Sequence, residues 1–285
     1  MEKDIIIQMK QSMPTFSKSQ KKIAQALIDN YQETAYMTAS RLGALVGVSE
    51  STVVRFAYEL GYDGYPELQR AIQKAVCNKM TPNQRIEATE MRFAGGDILK
   101  NVMMRDVEMI RYTLENLDRH SFDNTVQSLL KARRAYIIGA RSSAALASFF
   151  NFNLSLISDH VKLVQPTSTS EVFEQMLDIG SEDVLFCITF PRYSTKILGA
   201  SNYAKAQGAT VIALTDSQEA PISRYASYIL TARSDMASFV DTLTAPLSVL
   251  NAVLVAIVQG KRNDVKSRFD RLESIWDQNN VYTKQ

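Results

Sequence analysis

Two short stretches hold the groups best suited to grip a small anion. One is Gly139-Ala140-Arg141-Ser142-Ser143. The other is Thr189-Phe190-Pro191-Arg192-Tyr193-Ser194-Thr195. Each follows an apolar run that reads as a buried strand, and each leads into a helical pattern. Backbone amides at a helix start, joined by hydroxyls and guanidiniums, bind phosphate or carboxylate. Neither stretch contains a carboxylate or histidine that could move a proton. His120 and His160 lie outside both and read as solvated or structural. Glu171 and Glu174 follow the second strand and Glu219 follows Asp216; each reads as a surface carboxylate. Cys77 and Cys187 are far apart, and no metal-ligand, CxxC or Walker spacing occurs. The chemistry expected is binding without catalysis, metal or cofactor.

The elements that must position these loops form an alternating pattern. Strands are expected at about 134–138, 161–164, 183–189, 210–215 and 228–231, with helical segments between them. That alternation predicts a five-stranded parallel sheet flanked by helices, doubly wound in the flavodoxin-like manner. Loops at the carboxyl ends of such strands are where open α/β sheets bind ligands. Arg141 and Arg192 could instead be spent on salt bridges to neighbouring acids.

The front of the chain reads differently. Residues 1–80 show helical periods only, so this part is expected to be all-α. Ser17 with Gln20 spells a capping box, Thr38 and Ser49 are placed to cap short helices, and Gly47 and Gly61 to end them. Pro66 suits the first turn of a further helix that runs to about Lys79. Between Met37 and Leu60 two short helices are joined by Gly47-Val48-Ser49. Leu42, Leu45, Val48, Val53, Val54 and Leu60 can form one small core. Ser49, Ser51, Thr52 and Arg55 are then left near the outer start of the second helix, where a recognition helix meets a DNA groove. Residues 81–96 have weak periodicity and read as a linker. Connecting helices are expected over 97–132, the α/β domain over 133–260 and a C-terminal helix over 261–285.

These motifs carry a resemblance. Gly47-Val48-Ser49, Ser51-Thr52-Val53, Arg55-Phe56 and Leu60-Gly61-Tyr62-Asp63-Gly64-Tyr65-Pro66-Glu67-Leu68 are similar to the N-terminal domain of RpiR-type bacterial transcription regulators. That implies a winged-helix-like or simple helical DNA-binding head on a dimer. The α/β part resembles the sugar isomerase (SIS) domain, a phosphosugar-binding module. Gly139, Ser142 and Ser143 match its first motif, with Arg141 in place of a glycine. In its second motif Thr189 takes the first serine, Pro191 the second, Arg192 the glycine and Ser194 the threonine. The resemblance implies ligand contacts from Ser143, Thr189 and Ser194, then Ser142, Arg141, Arg192 and Tyr193. It also implies a regulator of sugar or amino-sugar metabolism controlled by a phosphosugar-type anion. The alternative is a sugar-phosphate isomerase with an accessory helical domain.

Bulk composition fits this picture. The 285 residues are 46% hydrophobic and 22% charged, a globular balance. Residues 1–85 carry 11 Lys+Arg against 8 Asp+Glu, or +3, and the remainder 21 against 22, or −1. The tilt is compatible with double-stranded operator DNA at the front end. Residues 1–4 do not read as a signal peptide, and the apolar stretch 243–258 falls short of a bilayer span. A cytoplasmic homodimer or homotetramer without membrane attachment is expected, with 243–258 a candidate subunit surface.

Overall fold

The computed structural model describes residues 5–77, 81–93, 96–235 and 239–282. The expectations placed on residues 1–4, on the helix end at Lys79 and on Gly95 lie outside them. Internal contacts divide the chain into two compact units, Met1–Met104 with Asp235–Thr242, and Arg105–Ser234 with Leu243–Gln285.

The first unit contains α1 (Ile5–Ser12), α2 (Lys18–Asp29), α3 (Tyr31–Thr34), α4 (Ala39–Val46), α5 (Glu50–Glu59), α6 (Tyr65–Cys77), α7 (Pro82–Phe93) and the start of α8 (Ile98–Asn116). No strand occurs among its described residues, which selects the simple helical form over a winged one. The capping box opens α2: Gln20 N donates to Ser17 Oγ (3.4 Å) and Ser17 N to Gln20 Oε1 (2.7 Å). Ile23, Leu27, Leu42, Val53, Phe56, Leu68 and Ile72 meet in one core. Each such burial contributes about 1.5–3 kcal/mol. Phe16 meets Phe56 edge to face at 5.3 Å.

Two expectations fail here. Leu45 is not core but 55% exposed. The eight-residue α4 offers Leu42, Leu45 and Val46, more apolar groups than its single buried face accepts. Residues 81–96 are not a featureless linker, because α7 occupies Pro82–Phe93. Its start is a second capping box: Thr81 N donates to Gln84 Oε1 (2.9 Å) and Gln84 N to Thr81 Oγ1 (3.4 Å). Among its described side chains α7 buries Arg85, 1% exposed, whose Nη1 donates to Asp241 Oδ1 at 2.9 Å. A helix held through a buried cation shows no apolar period.

The second unit holds the rest of α8, α9 (Arg119–Lys131), β1 (Ala135–Gly139), α10 (Ser143–Ile157), β2 (Val161–Val164), α11 (Thr169–Gln175), β3 (Val184–Ile188), α12 (Thr195–Ala206), β4 (Thr210–Thr215), β5 (Tyr228–Thr231), α13 (Thr244–Gly260) and α14 (Arg262–Gln278). All strand pairs are parallel and the order is β2-β1-β3-β4-β5. Strand side chains alternate between faces. Ile137, Phe186, Ile188, Ile212 and Leu214 pack with α9, α10 and α13; Tyr136, Ile138, Leu185, Cys187, Val211 and Ala213 pack with α11 and α12. A sheet covered on both sides explains why the strands read as continuous apolar runs.

Helix α13 packs on this core through Val249, Leu250, Val253 and Ile257 and also buries Ala245 and Pro246; Val255 remains exposed. Helix α9 begins at Arg119, where Asp118 caps it by accepting from His120 N and Ser121 N. Among the described residues no single helix is long and apolar enough to cross a membrane.

Candidate functional site

In the first unit, α4 ends on Gly47 in the left-handed region (φ 69°) and α5 starts on Ser49. The two helices approach closely: a Cβ on Gly43 would lie 2.8 Å from the Val48 carbonyl oxygen. Gly43 therefore sets the turn, although its place inside a helical pattern gave no such signal. Ser49, Ser51 and Arg55 are exposed and Thr52 is half-buried. Ser49 Oγ accepts from Thr52 N (3.3 Å) and shares hydrogen bonds with Ser51 Oγ (2.9 Å) and Thr52 Oγ1 (2.8 Å). Ser49 thus caps the helix, and Ser51, Thr52 and Arg55 are the groups presented at its start. Arg55 Nε donates to the Ser51 carbonyl at 3.4 Å, which steers the side chain toward that end.

Phe56 and Tyr65 are core groups. Tyr65 Oη donates to the Met37 carbonyl (2.9 Å), tying α6 to the segment that enters α4. Burial pushes its phenol up to about 12. The neutral form is thus favoured in the folded state, and its contribution to stability is lost as pH rises past the ordinary value of 10.0. Tyr65→Phe should cost about 0.5–1.5 kcal/mol in denaturant unfolding. No change would mean that this tie adds nothing to the core.

In the second unit, β1 and β3 are neighbours, with Gly139 opposite Ile188 at their carboxyl ends. The chain leaves β1 toward β2 on one side and adds β3 on the other, so the crevice between their loops is the topological switch point. Both anticipated loops converge there. A Cβ on Gly139 would meet the Ser143 carbonyl oxygen at 2.5 Å, so α10 sits directly against the strand end.

The hydroxyls at this crevice are uncommitted. Ser142 and Ser194 occupy the N-cap positions of α10 and α12, yet neither side chain caps its helix. Elsewhere Ser17, Thr38, Ser49 and Ser168 all do. Ser143 and Thr189 are only 4% and 3% exposed, and neither hydroxyl has a hydrogen-bond partner among the described residues. The first bond within α12 runs from Leu198 N to Ser194 O, leaving the amides of Thr195, Lys196 and Ile197 at an open helix start.

Arg141 and Arg192 are exposed, and their backbones are left-handed, with φ of 57° and 63°. These are the two positions where the SIS motifs carry glycine. The loops keep the glycine conformation with arginine in place, at a cost of about 1–2 kcal/mol each. The salt-bridge alternative fails, since neither guanidinium has a hydrogen-bond or ion-pair partner among the described residues. Tyr193 is already engaged: its phenol donates to Asp216 Oδ1 (2.7 Å), latching the β3 loop to the end of β4.

Sequence reasoning passed over a third loop. After β2, Thr167 bonds Glu171, and Ser168 caps α11 beside Ser170. Lys196 Nζ, from the first turn of α12, donates to the carbonyls of Pro166 (3.2 Å) and Thr167 (2.6 Å). The run Pro166-Thr167-Ser168-Thr169-Ser170 after a strand was the available signal. Glu171 is thus held within its own loop, and Glu174 and Glu219 are exposed. Cys187 is buried in the sheet, with its thiol pushed up to about 12 by desolvation. No cluster of three or more metal-ligating side chains occurs among the described residues.

Residues 3–79 match the helix-turn-helix domain of the rpiR family, and residues 128–256 match the SIS domain. The chain belongs to the RpiR-type transcriptional regulators. The helix-turn-helix match lies within the first unit. An uncharacterized HTH-type transcriptional regulator of Haemophilus influenzae is 26% identical over 255 residues, 87% of this chain and 88% of that one. In fold, the chain is similar to the NanR protein of Vibrio vulnificus, solved in complex with ManNAc-6P. The TM-score is 0.60 at 18% identity, over 98% of this chain and 99% of that one. It is also similar to the sugar isomerase domain of an RpiR transcription factor from Sphaerobacter thermophilus. There the TM-score is 0.59 at 20% identity, over 61% of this chain and 97% of that one.

Proposed function

We propose that this RpiR-type regulator senses a phosphorylated sugar or amino sugar in the crevice between the β1 and β3 loops and changes its grip on operator DNA in response. The observation that carries the reading is the set of four uncommitted hydroxyls, Ser142, Ser143, Thr189 and Ser194, at the switch point. Ser143, Thr189 and Ser194 hold the phosphate, with Arg141, Arg192 and Tyr193 around it. The ManNAc-6P complex of the Vibrio vulnificus NanR supports this ligand class. Ser51, Thr52 and Arg55 contact DNA from the start of α5, with Ser49 fixing that start. A twofold operator calls for a homodimer or homotetramer, acting in the cytoplasm.

The site binds and does not convert. An isomerase needs a base beside the substrate carbon, and the two loops supply none. Calorimetric titration of hexose, pentose and amino-sugar phosphates, followed by product analysis, tests this. Binding without turnover is expected. Isomerised product that disappears in Glu171→Gln or Glu174→Gln would establish the enzyme instead.

A further inference from the structure

We propose that the effector carries a second anionic group, and that the crevice selects a phosphorylated sugar acid over the corresponding neutral sugar phosphate. This rests on the phosphosugar reading above and narrows it.

Arg141 lies two residues beyond Gly139 and Arg192 four residues beyond Ile188, on loops leaving neighbouring strands. Together they bring two positive charges. The starts of α10 and α12 add about half a charge each. Lys196 and Asp216 carry opposite charges and offset one another, and Glu171 sits in the first turn of α11, where it offsets that helix's own positive end. Glu171 carries a full charge against that half charge, so the crevice is left with a surplus of about 2.5 positive charges, whereas a phosphate monoester supplies about −1.5 to −2 near neutral pH. One more anion balances the account, and a carboxylate matches the guanidinium fork.

The second observation is that both guanidiniums are exposed and without a partner among the described residues, on backbones that glycine would adopt without strain. The strain of these backbones stays whatever the side chains bind; what the loops hold out at the crevice is a pair of guanidinium forks that no group among the described residues occupies. Meanwhile the buried hydroxyls of Ser143 and Thr189 provide a separate seat for the phosphate.

The test uses the full-length chain and three matched pairs: glycerol 3-phosphate with 3-phosphoglycerate, erythrose 4-phosphate with 4-phosphoerythronate, and glucose 6-phosphate with 6-phosphogluconate. By calorimetry the acid of at least one pair should bind about tenfold or more tightly than its neutral partner. Arg141→Gly and Arg192→Gly should each shrink that preference to about threefold or less, while the Tm stays at or above that of the unsubstituted chain because the backbone strain is relieved. Equal binding within every pair that binds, or a preference that survives both substitutions, overturns the second anion and leaves the phosphosugar reading standing. A Tm lowered by several degrees in either variant overturns it too, by showing that the guanidinium serves the fold. No binding by any member of any pair overturns the second anion, and the phosphosugar reading is then decided by the wider panel of hexose, pentose and amino-sugar phosphates.

Discussion

Gly139→Ala should lower the Tm by roughly 2–12 °C and abolish sugar-phosphate binding. The added Cβ would lie 2.5 Å from the Ser143 carbonyl oxygen, 2.9 Å from its carbonyl carbon and 3.0 Å from Ala147 Cβ. Two of these three atoms are helix backbone and cannot swing away. Either β1 bends at its last residue, inside the register with β3, or α10 lifts from the sheet. Overpacking of this kind costs about 1–3 kcal/mol, occasionally more, and each kcal/mol moves the Tm by about 2–4 °C in a unit of this size. Either adjustment also displaces Ser143, so binding fails even where folding survives. Thermal unfolding by circular dichroism and calorimetry with a sugar phosphate read the two effects separately. A variant with unchanged Tm and affinity would show that the strand end and α10 are not closely packed.

Arg55→Ala should weaken DNA binding by about 1–3 kcal/mol, roughly 5- to 150-fold, without affecting the fold. Arg55 is exposed and outside the head's core, and its hydrogen bond to the Ser51 carbonyl is long. Loss of affinity therefore reports DNA contact and not unfolding. The salt dependence separates two roles. A base-reading arginine loses sequence preference when removed; a phosphate contact lowers affinity evenly across sequences and reduces the salt slope by about one. Unchanged affinity at every salt concentration would remove Arg55 from the interface.

Much of this architecture was legible in the chain because local signals agreed with tertiary ones. The capping hydroxyls of Ser17, Thr38 and Ser49 fall where the helices begin. The five apolar runs fall within about a residue of the five strands, since a doubly covered sheet imposes unbroken hydrophobicity. Where the reading failed, a long-range partner decided the outcome. α7 is anchored by Arg85 reaching Asp241, 156 positions away, which no periodicity reveals. Leu45 fitted the apolar pattern but found no facing surface. The crevice was legible in part. Its hydroxyls and arginines stood in the sequence, but not that Arg141 and Arg192 take the left-handed conformation of the glycines they replace. That Ser142 and Ser194 decline to cap their helices, and that Tyr193 turns to Asp216, could be learned only from the fold.

The central claim is that the β1 and β3 loops hold the anion that changes DNA binding. Its most direct test is the affinity of the full-length chain for a DNA site it selects, measured by anisotropy with and without sugar phosphates. The account predicts that at least one sugar phosphate shifts this affinity by about 5- to 150-fold, the usual range of coupling between sites, and that Ser143→Ala combined with Ser194→Ala removes the shift while affinity without the ligand is retained. A shift that persists in the double variant, or no shift with any phosphorylated sugar or sugar acid, would contradict it.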